Sequence, residues 1–199
     1  MSVPLRSRLE ALGLEEPAAL ADRLAYYRET LLKWNRVHNL TGYRDAETVD
    51  RYLLDALYPL TFLPPVETAM DIGTGAGFPG LILATAQPDV RWMLVEPLQK
   101  RAAFLQFVKA GLGLENVTVV QKRVEALPPQ AFGLITSRAV TDTGMLLELS
   151  RPFRDDDTML LFYKGENVYN ETPEDLPYRI VETENRHYLL INPPKDIHA

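Results

Sequence analysis

Asp71-Ile72-Gly73-Thr74-Gly75-Ala76-Gly77-Phe78-Pro79-Gly80 lies between a short β-rich run and a helical one, and its reading decides the fold. Glycines recur where the chain must turn sharply through φ values that side chains penalise, and where a ligand must approach the backbone closely. Outward from this loop the pattern alternates. Strand-like runs are predicted at 68–72, 90–95, 117–120, 134–136 and 158–163, with helices at 80–86, 97–110 and 142–150 between them. That alternation predicts a parallel sheet with crossover helices. Two late strands, at 178–181 and 188–191, are joined only by the polar residues 182–186, which favours an antiparallel hairpin.

Upstream of the Pro64-Pro65 break nothing reads as strand. Helices are predicted at 5–12, 17–37 and 45–60. Pro17 sits where a first helical turn tolerates proline, and Leu20, Leu24, Tyr27, Leu31 and Trp34 recur at three- and four-residue spacing as a core stripe. The expected organisation is one domain over residues 1–199, with a helical extension at 1–63 and a Rossmann-like core at 66–199.

The glycine spacing admits two readings. From Gly73 it is acid-x-Gly-x-Gly-x-Gly, the form found in methyltransferases; from Gly75 it is Gly-x-Gly-x-x-Gly, the dinucleotide form, weak on its own. A tight turn without ligand is the third possibility. Asp71 favours the first reading, because its carboxylate can bond loop amides or, through water, the ammonium of a methionine moiety, whereas a pyrophosphate would be repelled. Glu96 ends the second strand where an acid holds a ribose by its hydroxyls, a group common to both cofactors. Val124-Glu125 follows the third strand, where this architecture seats an adenine. Five parallel strands closed by a hairpin match a class I S-adenosylmethionine-dependent methyltransferase, a mostly parallel seven-stranded sheet; a dehydrogenase sheet normally finishes with another parallel strand. An NAD-dependent oxidoreductase and a non-catalytic RNA- or cofactor-binding module remain the alternatives.

Composition bounds the partners. There are no cysteines for disulfides or thiolate metal sites, no metal site is expected, and no apolar run approaches the roughly 20 residues of a membrane helix. With no secretory signal at the N-terminus, a cytoplasmic protein that does not engage membranes is expected. The net charge of −6 would repel nucleic acid, so an RNA substrate needs a local basic patch. Lys100, Arg101, Lys122, Arg123, Arg138 and Lys164 all follow predicted strands, whose carboxyl ends line one crevice in an open sheet. Acidic residues gather elsewhere, at 155–157 and 171–175. Tyr26, Tyr27, Trp34, Tyr43 and Tyr52 include candidates for stacking an unpaired base, although most should be core.

The glycine loop, together with Trp34-Asn35, Asn39-Leu40-Thr41, Leu53-Leu54-Asp55, Lys100-Arg101, Arg123-Val124-Glu125, Ser137-Arg138-Ala139 and Lys164-Gly165, resembles the glucose-inhibited division protein B family of small-subunit ribosomal RNA methyltransferases. The motifs occur in the family's order and span residues 34–165. The resemblance implies S-adenosylmethionine as cofactor and methylation of N7 of a guanine, the guanine-527 position, in bacterial 16S ribosomal RNA, as RNA, small subunit or assembly intermediate. It further implies cofactor contacts at Gly73, Phe78, Val124, Glu125 and Arg138, to which the loop reading adds Asp71, Gly75, Gly77 and Glu96. Lys100, Arg101, Arg123 and Lys164 are the expected RNA contacts, and a monomer is expected. Three positions depart from the family pattern: Tyr52 stands where a histidine commonly follows Arg51, Glu96-Pro97 replaces aspartate-serine, and residues 193–199 are not basic.

No general base is assigned. Guanine N7 has an in-plane lone pair and no proton to lose, so alignment in a site with little water can carry the reaction. The resemblance implies that Arg138 lies at the edge of the reaction centre, where it suits a phosphate or cofactor contact better than stabilisation of a guanine that becomes cationic. His38, His187 and His198 are scattered, and surface or packing roles are expected for all three.

Overall fold

The computed structural model describes residues 3–138, 140–172, 176–184 and 186–192; the predictions made for 193–199, for His198, and for parts of 171–175 and of Ser137-Arg138-Ala139 lie outside these. Three helices come first, α1 (Leu5–Ala11), α2 (Pro17–His38) and α3 (Ala46–Leu57). Pro17 occupies the first turn of α2, and Asn39 ends it in the left-handed conformation. Asp45 caps α3 by accepting the Thr48 N–H at 2.8 Å. The helix predicted at 45–60 ends early: Leu57 is followed by a 3-10 turn at Tyr58–Thr61, where Pro59 lacks the N–H needed to continue an α-helix.

The sheet contains β1 (Thr68–Ile72), β2 (Arg91–Val95), β3 (Val117–Val120), β4 (Leu134–Arg138), β5 (Met159–Lys164), β6 (Tyr178–Thr183) and β7 (Arg186–Ile191), in the order β3-β2-β1-β4-β5-β7-β6. Strands β1 to β5 are parallel. The hairpin expected at the end is present, with β7 antiparallel to both β5 and β6. Helices α4 (Gly80–Ala86), α5 (Gln99–Leu112) and α6 (Thr143–Ser150) connect the parallel strands. Helix α5 starts two residues later than predicted, because Pro97 and Leu98 form the turn out of β2.

Alternation along the strands divides the core into two layers. Ala69, Leu94, Leu134, Leu161, Tyr163 and Leu190 pack on one face, sharing a continuous cluster with Leu81 of α4, Phe104 of α5, and Leu24, Tyr27, Leu31 and Leu53 of the N-terminal helices. Met70, Ile72, Ile135, Phe162 and Leu189 form the other face, under Leu146 of α6. The N-terminal helices are thus built into one layer. Two tyrosine tips fasten them to the sheet: Tyr163 Oη donates to the Ala56 carbonyl at 2.8 Å, and Tyr188 Oη to that of Asp55 at 2.9 Å.

Candidate cofactor site and its relatives

At the carboxyl ends of β1, β2 and β4, beneath α3, lies a cavity of about 800 Å³, a size usual for small-molecule sites. The glycine loop forms its floor. Gly73 and Thr74 donate their N–H groups to the Val95 carbonyl at 2.9 and 3.1 Å, which ties the loop to the end of β2. Glu96 extends the tie. Its Oε2 accepts the Gly75 N–H at 2.9 Å and its Oε1 the Leu98 N–H at 2.8 Å. Each carboxylate oxygen keeps a further lone pair, and Glu96 lines the cavity although it is only 2% exposed.

Asp71 stands behind the loop. Its Oδ2 accepts the Gly80 N–H at 2.9 Å and its Oδ1 the Thr136 hydroxyl at 2.8 Å, and it has no exposed surface. The expected bond to a loop amide is therefore present. The expected water-mediated contact with a cofactor ammonium is not supported, because Asp71 does not line the cavity. Burial pushes its pKa up to about 6, against the lowering influence of the hydrogen bonds from Thr136 and Gly80. Gly77 likewise lies behind the lining, with φ +108° and Leu81 at the place a β-carbon would need.

Gly75 is different. At φ +60° it lines the cavity, and a β-carbon there would meet nothing closer than the Gly73 carbonyl oxygen at 4.0 Å, so a side chain would stand in open space where a ligand must lie. Tyr27 Oη steadies the loop from the helical layer by donating to the Ala76 carbonyl at 2.7 Å. Val124 and Glu125, in a 3-10 turn after β3, line the far wall beside Arg123.

Arg138, at the end of β4, faces the loop across the cavity. Its guanidinium lies 4.6 Å from the Phe78 ring centroid, 5.2 Å from Tyr52 and 5.9 Å from Tyr43. Nη2 donates to Tyr43 Oη at 2.8 Å; Nη1 has no hydrogen-bond partner and lies 4.0 Å from the Asp55 carboxylate. Tyr43 and Tyr52 stack with centroids 4.2 Å apart. Burial raises the Tyr43 pKa above its ordinary value, so the phenol stays protonated.

The cavity brings together Gly73, Gly75, Phe78, Glu96, Arg101, Arg123, Val124, Glu125 and Arg138. It does not bring in Lys100 or Lys164. Lys164 is committed to Glu171 at 2.7 Å and is largely buried, so it is not a free cation for RNA. Of the five aromatic candidates, Tyr43 and Tyr52 reach the cavity, whereas Tyr27 and Trp34 pack in the core. Sequence reasoning missed Leu40, Thr41 and Arg186, which also line it. The left-handed Asn39 that swings Leu40 and Thr41 inward was legible as a helix stop; the reach of Arg186 depends on long-range strand pairing. Among the described residues no cluster of three metal-ligating side chains occurs.

The family model for rRNA small subunit methyltransferase G matches residues 21–187. The chain belongs to this family. Relatives named ribosomal RNA small subunit methyltransferase G agree along nearly their whole length: that of Wolinella succinogenes is 49% identical over 186 residues, covering 94% of this chain and 96% of the relative. That of Halorhodospira halophila is 42% identical, covering 93% and 88%. Within the methyltransferase G family, then, the glycine loop belongs to a fold that solved methyltransferases share at low identity. A methyltransferase from Geobacter sulfurreducens superposes with a TM-score of 0.60 at 15% identity, covering 86% of this chain and 88% of its own. No helix among the described residues is long and apolar enough to cross a membrane.

Proposed function

We propose that this chain transfers a methyl group from S-adenosylmethionine to N7 of a guanine in bacterial 16S ribosomal RNA, presented by the small subunit or an assembly intermediate. The observation that carries the reading is the single cavity lined by both the Gly73–Gly75 backbone with Glu96 and the Arg138–Tyr43–Tyr52 cluster, in a chain of the methyltransferase G family. It acts in this reading as a cytoplasmic monomer.

The residues present fit the cofactor. Gly75 leaves space a side chain would fill, and Glu96 offers its remaining lone pairs to ribose hydroxyls. Backbone at Val124 and Glu125 suits the edge of an adenine. When bound, the sulfonium supplies an electrophilic methyl group. The chain's own residues then bind and align. Phe78, Tyr43 and Tyr52 offer aromatic surface for a splayed-out base, and Arg138, whose Nη1 has an unused donor, holds that surface in place and can contact the entering nucleotide. Guanine N7 carries no proton, so no general base would be needed as the methyl passed to it and S-adenosylhomocysteine left; the chain's part would be proximity and orientation, worth several kcal/mol. Arg101 and Arg123 on the rim, with exposed Lys100 nearby in α5, are the proposed phosphate contacts.

The test is transfer of radiolabelled methyl to 16S ribosomal RNA or small subunits from a strain lacking the modification, mapped by cleavage at N7-methylguanine. Label at a single guanine is expected. Tight binding of S-adenosylhomocysteine without transfer to any assembly state would replace the enzyme with a binding module, and a thermal shift with NAD alone would favour the oxidoreductase.

A further inference from the structure

A second cavity, of about 620 Å³, opens between α1, α3 and the β6–β7 hairpin. It adjoins the first: Tyr52 and Arg186 line both. Its remaining charged lining is Arg8 from α1, Arg51 and Asp55 from α3, and Glu184 from the hairpin turn. These charges are unequally committed. Asp55 accepts the Arg186 Nε–H at 3.0 and 3.2 Å and the Tyr188 hydroxyl at 3.1 Å, with Arg138 also 4.0 Å away, so its charge is already answered. Arg8 and Arg51 form no ion pair among the described residues; the Arg51 guanidinium sits 5.5 Å from the Tyr52 ring.

We infer that this second cavity is an RNA subsite, in which Arg8 and Arg51 bind a backbone phosphate of a nucleotide flanking the target guanine. The inference rests on the proposed function. Glu184 is likewise without an ion pair among the described residues, so the uncommitted lining is two arginines against one glutamate; in a chain of net charge −6 that local positive excess favours an anion beside the arginines. The RNA strand supplies one at that place, because a guanine held against Tyr52 has its backbone leaving the first cavity, and the second begins on that same ring. The guanidinium forks suit phosphate oxygens. Tyr52, which lines both cavities, is thus the partition between the base site and the phosphate site.

The Arg8→Ala/Arg51→Ala double variant tests the inference, since neither side chain makes a hydrogen bond that holds the fold. With small subunits lacking the modification as substrate, KM should rise at least about tenfold, the effect of losing even one charged contact to the phosphate. Both kcat and the affinity for S-adenosylhomocysteine should stay at wild-type values. The slope of log binding constant against log salt should become shallower by about 0.7, the value for one single-strand phosphate no longer neutralised. The Arg8→Lys/Arg51→Lys variant keeps both charges and should retain the slope. Wild-type KM and slope in the alanine variant overturn the subsite and leave an acidic protein segment as the alternative occupant. Binding is measured without transfer, so a wild-type chain that binds RNA but yields no N7-methylguanine sinks the proposed activity alone. A wild-type chain that binds no RNA overturns both.

Discussion

Glu96 accepts the Gly75 N–H at 2.9 Å, so the acid that ends β2 holds the loop that follows β1. One carboxylate therefore both shapes the glycine loop and faces the cavity. Glu96→Ala removes two charged hydrogen bonds and any to a ribose, each worth about 1.5–3 kcal/mol. Affinity for S-adenosylhomocysteine should fall at least about tenfold by calorimetry. An unchanged affinity would take Glu96 out of the cofactor site.

Two glycines of the loop should fail in different ways. A β-carbon at Gly80 would lie 2.5 Å from Asp71 Cβ and 2.6 Å from Leu94 Cδ2, in the buried core. Gly80→Ala should cost about 1–3 kcal/mol or more by overpacking, read by urea denaturation. Gly75→Ala meets no such obstacle and should lose only about 1–2 kcal/mol to its left-handed φ, yet weaken cofactor binding more than Gly80→Ala weakens it per unit of stability lost. A Gly75→Ala variant with wild-type affinity for S-adenosylhomocysteine would contradict the distinction.

The planar guanidinium of Arg138 lies among three rings, so on the proposed function its shape should matter more than its charge. Arg138→Ala and Arg138→Lys should both reduce single-turnover methylation about tenfold or more, with the lysine giving little rescue. Full activity in Arg138→Lys would reduce the role to charge.

Asp71 should make the protein less stable as pH rises. Its folded pKa, about 6, lies above the ordinary 3.8, so the native state holds the proton more tightly than the unfolded chain. The resulting stabilisation is complete below pH 3.8 and is lost as pH passes through 6, an amount of about 2–3 kcal/mol for a shift of this size. Asp71→Asn keeps an acceptor for Gly80 N–H and a donor for Thr136 without the charge. Its stability relative to wild type should therefore rise between about pH 4 and pH 6, followed by denaturant titration at several pH values; a pH-independent difference would refute the assignment.

Much of this was legible because it is local. The bounds of β1, β3 and α4 follow from residues whose neighbours in sequence are their neighbours in space, and the short polar link after residue 181 forced a hairpin. The four 3-10 turns among the described residues were not legible, since three to five residues carry no periodicity and their conformation is set by packing. At the cavity, Gly73, Gly75 and Glu96 were singled out by spacing and Arg138 by the family resemblance, and all four line it. Asp71 was placed correctly on the strand, but its burial behind the loop depends on Thr136, which lies 65 residues away. Lys164 shows the same limit: a lysine after a strand reads as rim charge, and only the fold reveals Glu171 beside it.

Because β7 lies between β5 and β6, the strand made last among the seven is an interior one. During synthesis the edge of β5 stays unpaired until β7 has left the ribosome, and β6, emerging first, has no partner in the sheet. Arg186 and Tyr188, which secure Asp55 beside Arg138, arrive on that same strand. The nascent chain thus has its glycine loop long before the wall that Arg186 adds to the cavity, and a chain truncated before Arg186 would present an open sheet edge and an unfinished cavity.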